Sequence, residues 1–551
     1  MKKRKLLLWS LVLLFAVLMS LPFLVPHCGF ISLFGIVPLL CMERIASMSG
    51  VRRVWVYHYS AFVLWNAFST FWVCNATVGG GIFAVLANAL QMSLIFGVFR
   101  LSRKRFSGVL PYIFLMTLWI AWERAYFDAD ISWPWLVLGN SFARSIGSVQ
   151  WYEYTGALGG SLWIWACNLT LFALMVSLSD GSWQRSNIKA RAAAAVWTVI
   201  VFAGPFVWSS VIWHGYDEKS DPLEVCVFQP NIDPYNKFQA LTQQQQNSII
   251  LEQMEGACPL PAQASQRDSL LSSGRRKPLL LLAPETFTGN VVVGDYSSSV
   301  TWRRFVSFLK ERPGTNMIFG ASAYSIFSSE DRPSHTARQM RDGRWLESHN
   351  SALMVDGTGR TEIFHKNKLV VAVEKTPYPA VFCRIDDWLG GVMGRCVGQD
   401  SISVMHCVAP EDTVTVGCAI CYESVYGEYY TGYVRKGAEV MTIITNDAWW
   451  GNTPGYRQHL SYASLRAIET RRSIARCANT GISCFIDQRG EIHDASPWWQ
   501  KAVLHGNVNR NDEITFFVAH GDITGRVCTF VAGLLALALL ANILAVSRRK
   551  A

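Results

Sequence analysis

Thr415-Val416-Gly417-Cys418-Ala419-Ile420-Cys421-Tyr422-Glu423 is the stretch on which the reading of this chain turns. An apolar, β-rich run stops at a thiol, and a carboxylate follows two positions later. A strand ending in this way holds its thiol rigidly at the edge of a sheet, where substrates bind, and not in the packed interior. Two other runs end alike: Leu279-Leu280-Leu281-Leu282-Ala283-Pro284-Glu285 and Thr361-Glu362-Ile363-Phe364-His365-Lys366. Carboxylate, ammonium and thiol are the parts of a covalent acyl-transfer site, so the three strand ends are expected to meet in one α/β domain.

At 551 residues, 51% of them hydrophobic, and a mean hydropathy of +0.20, the chain is too long and too apolar for one soluble domain. Eight runs read as membrane helices: Leu6 to Leu24, Phe30 to Met42, Val54 to Val73, Gly81 to Phe99, Val109 to Tyr126, Ser161 to Leu178, Ala194 to Trp213 and Val527 to Val546. The second is short and is also compatible with a re-entrant piece. The first follows Lys2, Lys3, Arg4 and Lys5 without a small-residue cleavage site, which reads as a retained anchor. Basic residues stay cytoplasmic in short loops. Arg52 and Arg53, Arg100 to Arg105, Arg185 to Arg191 and Arg548 to Lys550 all fall on one side if both ends lie inside. The expected division is a membrane domain over 1–214, an external catalytic domain over 215–525, and a last span with a basic tail over 526–551. The net charge of +10 is then mostly a topology signal, and no nucleic-acid partner is expected.

The polar segment alternates short β runs with helical ones, a pattern of α/β domains. Strands are expected at Leu223 to Phe228, Pro278 to Ala283, Asn316 to Ala321, Ser351 to Val355, Glu362 to Lys366, Val414 to Ile420, Val440 to Thr445 and Ile482 to Asp487. Helices are expected at Val300 to Glu311 and Arg457 to Arg476, and Ser265 to Lys277 reads as an exposed insertion. Nine of the fourteen cysteines lie in this segment, and an odd number leaves one thiol unpaired in an oxidising compartment. Cys421 is the choice for it. Cys418 and Cys421 have C-x-x-C spacing, but no second ligand pair stands nearby, so no metal is expected. Cys418 reads as a buried strand residue.

A thiol near its usual pKa of about 8.5 is mostly protonated at neutral pH. Glu285 is the candidate base for its proton, and Lys366 the charge that meets the carbonyl oxygen as it becomes an oxyanion. Glu374 and Glu423 are expected to orient Lys366 and tune protonation. His365 should point to the opposite face of its strand from Lys366. Trp449 and Trp450 read either as lipid contacts or as core and interface anchors, and Glu123 and Arg124 as satisfied by each other.

Ala283-Pro284-Glu285, His365-Lys366-Asn367-Lys368-Leu369-Val370 and Cys421-Tyr422-Glu423 resemble the three signature segments of the nitrilase superfamily, in that family's chain order. Thr445-Asn446-Asp447-Ala448-Trp449-Trp450-Gly451, Arg466-Ala467-Ile468-Glu469 and Arg476-Cys477-Ala478-Asn479 narrow it, as do Trp122-Glu123-Arg124 and Trp133-Pro134-Trp135 in the apolar half. The whole chain is similar to the bacterial apolipoprotein N-acyltransferases, the membrane-embedded branch. The resemblance implies an αββα sandwich on the periplasmic side of the inner membrane, with Glu285 as general base, Lys366 as stabiliser of the tetrahedral intermediate and Cys421 as nucleophile. Glu374 and Glu423 match supporting carboxylates, and Tyr422 the residue beside the nucleophile. It further implies a phospholipid acyl donor, a diacylated apolipoprotein acceptor, contact with membrane lipids, a monomer and no cofactor. A membrane-tethered amidase with water as acceptor is the alternative.

The chain also departs from that pattern. Where the family reads Leu-Val-Pro-Phe-Gly-Glu, it has Leu369-Val370-Val371-Ala372-Val373-Glu374. Where a tryptophan often follows a lysine it has Lys237-Phe238, so a substrate-binding role carried to Phe238 is the weakest transfer. Cys383 to Gln399 matches nothing in the pattern and reads as a lid or a flap closed by a Cys383 to Cys396 disulfide.

Overall fold

A computed structural model describes residues 2–235, 237, 241–260, 277–328, 331–388 and 393–550. Phe238 and most of the Ser265 to Lys277 insertion lie outside the described residues. Two compact units divide the chain: Met1–Tyr216 with Thr453–Ser461 and His520–Ala551, and Asp217–Asn452 with Tyr462–Ala519.

The first unit is helical. Among the described residues six stretches are long and apolar enough to cross a membrane: Lys2–Leu24, Gly29–Met48, Val78–Ser102, Tyr152–Ser179, Ile188–Gly215 and Ile523–Val546. Val54–Thr70, with 17 residues, is short for a span, and Leu110–Asp128 has its hydropathy lowered by Glu123 and Arg124. The second stretch is broken into short helices near Ile36, and Asn168 supplies what the break leaves unpaired. Its Oδ1 accepts from the backbone N–H groups of Ile36 and Val37 at 2.8 and 3.1 Å, and its Nδ2 donates to the Ser32 carbonyl at 2.8 Å. In an apolar medium such a break persists only with a side chain of this kind. Glu123 and Arg124 do not satisfy each other. Glu123 accepts from Trp119 Nε1 and the Leu138 N–H, while Arg124 stands 3.7 Å from Asp522.

Two mixed sheets build the second unit. One runs Ala502–Asn509, Pro222–Gln229, Leu279–Leu282, Thr315–Phe327, Trp345–Asp356, Arg338–Gln339, with Thr288–Val292 paired to the fourth strand and Thr361–His365 to the fifth. The other runs Ile492–His493, Cys484–Ile486, Ile474–Ala478, Val440–Thr445, Asp412–Ile420, Met405–Ala409. The period of two decides the layering. Leu279 and Leu281 pack with Met317, Phe319, Leu353 and Val355 against Ile250, Met254, Phe305 and Leu309 of the helices Gln243–Ala257 and Val300–Lys310. Leu280, Leu282 and Ile318, equally buried, are left for the opposite face. There the second sheet approaches: Cys477 Sγ donates to the Phe228 carbonyl at 3.3 Å, and Asn316 exchanges hydrogen bonds with the Val408 backbone. Helix, sheet, sheet and helix therefore stack as an αββα sandwich.

All eight expected strands form, but the helix expected over Arg457 to Arg476 does not run that far. It spans Pro454–Thr470, and Ile474–Ala478 is a central strand. Arg471 adopts φ +48° and ends the helix. In sequence Ile474 extends the apolar face of Leu460, Leu465 and Ile468, yet it belongs to the strand, and the three arginines around the break are buried: Arg471 on the Gln488 carbonyl, Arg472 on that of Ala438, and Arg476 on Asp447.

Candidate active site

Cys421 stands where the strand Asp412–Ile420 ends and a 3-10 turn, Cys421–Val425, begins. Its φ is +52°, a left-handed conformation that a residue with a Cβ adopts only when its surroundings hold it there. Glu423 is what holds it. One carboxylate oxygen accepts from the Ile420 N–H at 2.8 Å and Tyr433 OH at 3.1 Å, the other from the Asn367 N–H at 2.8 Å and Tyr429 OH at 2.8 Å. Burial pushes this carboxyl up, against those bonds. Glu423 thus ties the thiol's turn to the loop behind Lys366 through the backbone of that loop, and its carboxylate also feels the charge of the Lys366 ammonium. Arg466 secures the other side, donating to the Val425 carbonyl at 2.8 Å while paired with Glu469 at 2.7 Å.

Glu285 lies three residues past the strand Leu279–Leu282. Gly320 on the neighbouring strand lets it pass, since a Cβ there would sit 2.5 Å from Glu285 Cα. Lys366 follows the strand Thr361–His365, and its N–H donates to the Asn350 carbonyl at 2.7 Å. Its ammonium is buried between two carboxylates, 2.9 Å from Glu285 and 2.9 Å from Glu374. Asn350 braces the same pair, its Nδ2 donating to Glu285 at 2.8 Å and to Glu374 at 2.7 Å. Burial pulls the ammonium's pKa down, but Glu285, Glu374 and the nearby thiol push it up, and the net direction is well above a free lysine. Lys366 is a permanent cation. Glu374, in register despite the altered run before it, is fixed by the Val370 N–H at 2.7 Å.

The thiol joins this cluster electrostatically. Burial pushes Cys421 well above an ordinary thiol, Glu285 pushes the same way, and Lys366 opposes them. A thiol so placed rests protonated, and its proton has to be taken by a neighbour as it attacks. The three strand ends read from the sequence therefore share one site. His365 is turned away, stacked on His349 at 4.2 Å and bonded to Ser351 Oγ at 2.7 Å. Tyr422 is buried edge-on to Tyr426. Trp449 is 41% exposed and meets the Tyr235 ring at 5.1 Å, whereas Trp450 is half-buried. Cys418 is buried and its thiol is pushed up to about 12, the state of an inert strand residue.

Sequence reasoning gave no role to Asn350, nor to Lys237 and Asp447, although these two stand in segments it quoted. Asn350 had a signal, a polar residue inside the buried run Asn350 to Val355. Lys237 had the family's lysine position as its signal: burial lowers it to about 8, and it donates to the Thr286 carbonyl beside Glu285. The flap is also a correction, because Cys383 and Cys396 are both free thiols. The helix Pro379–Trp388 is joined to its return by Arg395, which pairs with Asp386 at 2.5 Å. The return is stitched to the site by Cys396 N–H to the Glu374 carbonyl at 2.7 Å. Charge pairing replaces the expected covalent closure.

The chain matches the family Apolipoprotein N-acyltransferase N-terminal domain over residues 15–170 and Carbon-nitrogen hydrolase over residues 325–515. The second match includes Lys366 and Cys421 and starts after Glu285. The Apolipoprotein N-acyltransferase of Chlorobaculum tepidum is 28% identical over 93% of this chain and 92% of its own length. That of Geobacter metallireducens is 25% identical over 84% and 80%. Among solved structures, Saccharomyces cerevisiae Nit3, a member of branch 10 of the nitrilase superfamily, aligns with 56% of this chain and 99% of its own at 13% identity and a TM-score of 0.36, too low to weigh. With both halves matched in order and relatives aligned along nearly the full length, the chain belongs to the bacterial apolipoprotein N-acyltransferase family of the nitrilase superfamily.

Proposed function

We propose that Cys421, Glu285 and Lys366 carry the chemistry of this acyltransferase of lipoprotein maturation by a two-step thioester route. Glu285 takes the thiol proton as sulfur attacks the ester carbonyl of a phospholipid, and the oxyanion forms against Lys366. Collapse expels the lysophospholipid alkoxide, which receives the proton back from Glu285, and leaves the acyl chain on Cys421. The free α-amine of a diacylglyceryl-cysteine then attacks the thioester, losing its proton to Glu285, and the sulfur leaves and takes that proton from Glu285, which restores the thiol. Glu374 and Glu423 support the arrangement, one on the ammonium and one under the thiol's turn. Tyr422, Trp449, Trp450 and Phe238 remain candidates for substrate contact. The observation that carries this reading is the buried Lys366 ammonium, held 2.9 Å from Glu285 and from Glu374 and within electrostatic reach of the Cys421 sulfur.

The chain is a multi-pass membrane protein acting on lipid and lipoprotein. We place its catalytic segment, 215–525, on the periplasmic side, from the distribution of Lys and Arg among the loops, and read it as a monomer. Two lipid substrates suit such an enzyme, since at about 0.8 kcal/mol per methylene a long acyl chain is prohibitively costly to carry through water. The test is intact-mass analysis after incubation with a defined phospholipid. One acyl chain on Cys421, removed by a diacylated lipopeptide, is expected. Loss of the chain to water at the same rate without lipopeptide would select the amidase reading.

A further inference from the structure

Three neighbouring parallel strands of the second sheet end side by side, Ile420 registered on Ile444 and Thr445 on Ala478. Past their tips stand Cys421, at the end of one, and Asp447, in the turn after the next. Thr445 is fully buried and faces both: its Oγ1 lies 2.9 Å from Asp447 Oδ1 and is hydrogen-bonded to the Cys421 thiol. Sulfur and the Asp447 carboxylate are within 4.8 Å. Asp447 is itself fully buried, its other oxygen paired with Arg476 at 2.7 Å. Gly481 leaves room for it, because a Cβ there would lie 2.8 Å from that oxygen.

A buried Asp–Arg pair is by itself ordinary structural bonding. What sets this one apart is that the single hydroxyl hydrogen next to it has two acceptors, a carboxylate oxygen and the sulfur. We propose that Thr445 is the positioning residue for the reactive sulfur. In the resting enzyme its oxygen accepts from the thiol while its hydrogen is held by Asp447 Oδ1. When the thiol proton passes to Glu285, the Thr445 hydroxyl keeps its own proton and swings it to the thiolate. Asp447 gives up one hydrogen bond and keeps Arg476, so no buried charge is left bare. The same swing meets the sulfur when it leaves the thioester, and both half-reactions draw on it. Lys366 serves the carbonyl oxygen, Thr445 the sulfur.

This rests on the assignment of Cys421 as nucleophile and Glu285 as base, and the test separates the two. Single-turnover acylation by a defined phospholipid in mixed micelles is followed by intact mass for the wild type, Thr445→Val, Thr445→Ser and Cys421→Ala. Thr445→Val keeps the shape and removes the hydroxyl. It is expected to slow acylation roughly 10- to 100-fold, the range for a hydrogen bond to a charged group, with the same final acylated fraction and the same dependence on phospholipid concentration. Thr445→Ser should run near the wild-type rate. Wild-type speed in Thr445→Val, with no acyl chain on Cys421→Ala, overturns the role of Thr445 alone, as does a Ser variant as slow as Val. An acyl-enzyme in Cys421→Ala overturns the nucleophile and this role with it. If Thr445→Val does not reach the membrane, Thr445→Ala takes its place against Thr445→Ser with the same expected ratio.

Discussion

At the scale of the residue, a thiol driven up by burial and by Glu285 has to be relieved of its proton by a partner already in place. Cys421→Ser should therefore stay folded in membranes and accumulate no acyl chain by mass analysis. Glu285→Gln should slow acyl-enzyme formation in single turnover by a factor on the order of 100 or more, the share usual for a general base. Unchanged single-turnover acylation would assign the proton to another group. Lys366→Met removes the charge that meets the oxyanion, a contribution of about 3 kcal/mol. It should lower kcat roughly 100-fold and weaken phospholipid binding far less; equal losses in both would make the lysine a ground-state anchor. That the three residues would lie close together was legible from the sequence because each follows a β run. The partners of Asn350 and Asp447 were not, since a side chain's bonds to distant segments leave no trace in the local run.

At the scale of the element, the flap and the strand before Lys366 carry separate tests. Asp386→Asn leaves the Arg395 guanidinium without its buried partner, so the helix Pro379–Trp388 should open more often. Limited proteolysis should cut within 376–399 faster than in the wild type, while the rest of the α/β unit keeps its resistance. His365 is held neutral by burial and by His349, its pKa lowered from 6.5 to about 4. The unfolded chain gains that proton near pH 6.5 and the folded one only near 4, so acid costs stability across this window. In melts followed from pH 7 to 4.5, His365→Gln should flatten the loss, and an unchanged slope would mean another group titrates there. Elements were readable wherever hydrophobic period and breaker residues agreed. The stretch after Thr470 misled because Ile474 falls in helical register with Leu460, Leu465 and Ile468, while it is the first residue of a buried strand.

At the scale of the whole molecule, the loop arginines and lysines predict a sidedness that can be checked directly. A membrane-impermeant protease added to spheroplasts should degrade the 215–525 segment and spare the loop Arg100 to Arg105. The reverse pattern would put the catalytic residues in the cytosol and remove their access to lipoprotein substrates. Apolar runs, basic loops and strand-ending functional groups are local features, set by solvation and by backbone period, and they could be read off the chain without any partner in view. Which groups share a proton is not local. Lys366 lies 81 residues from Glu285 and 8 from Glu374, and only the order of strands in two packed sheets brings both carboxylates to 2.9 Å and sets the thiol beside them. Charge and hydrogen bonding act through space at short range, so the site's electrostatics came into being with the sandwich and not before.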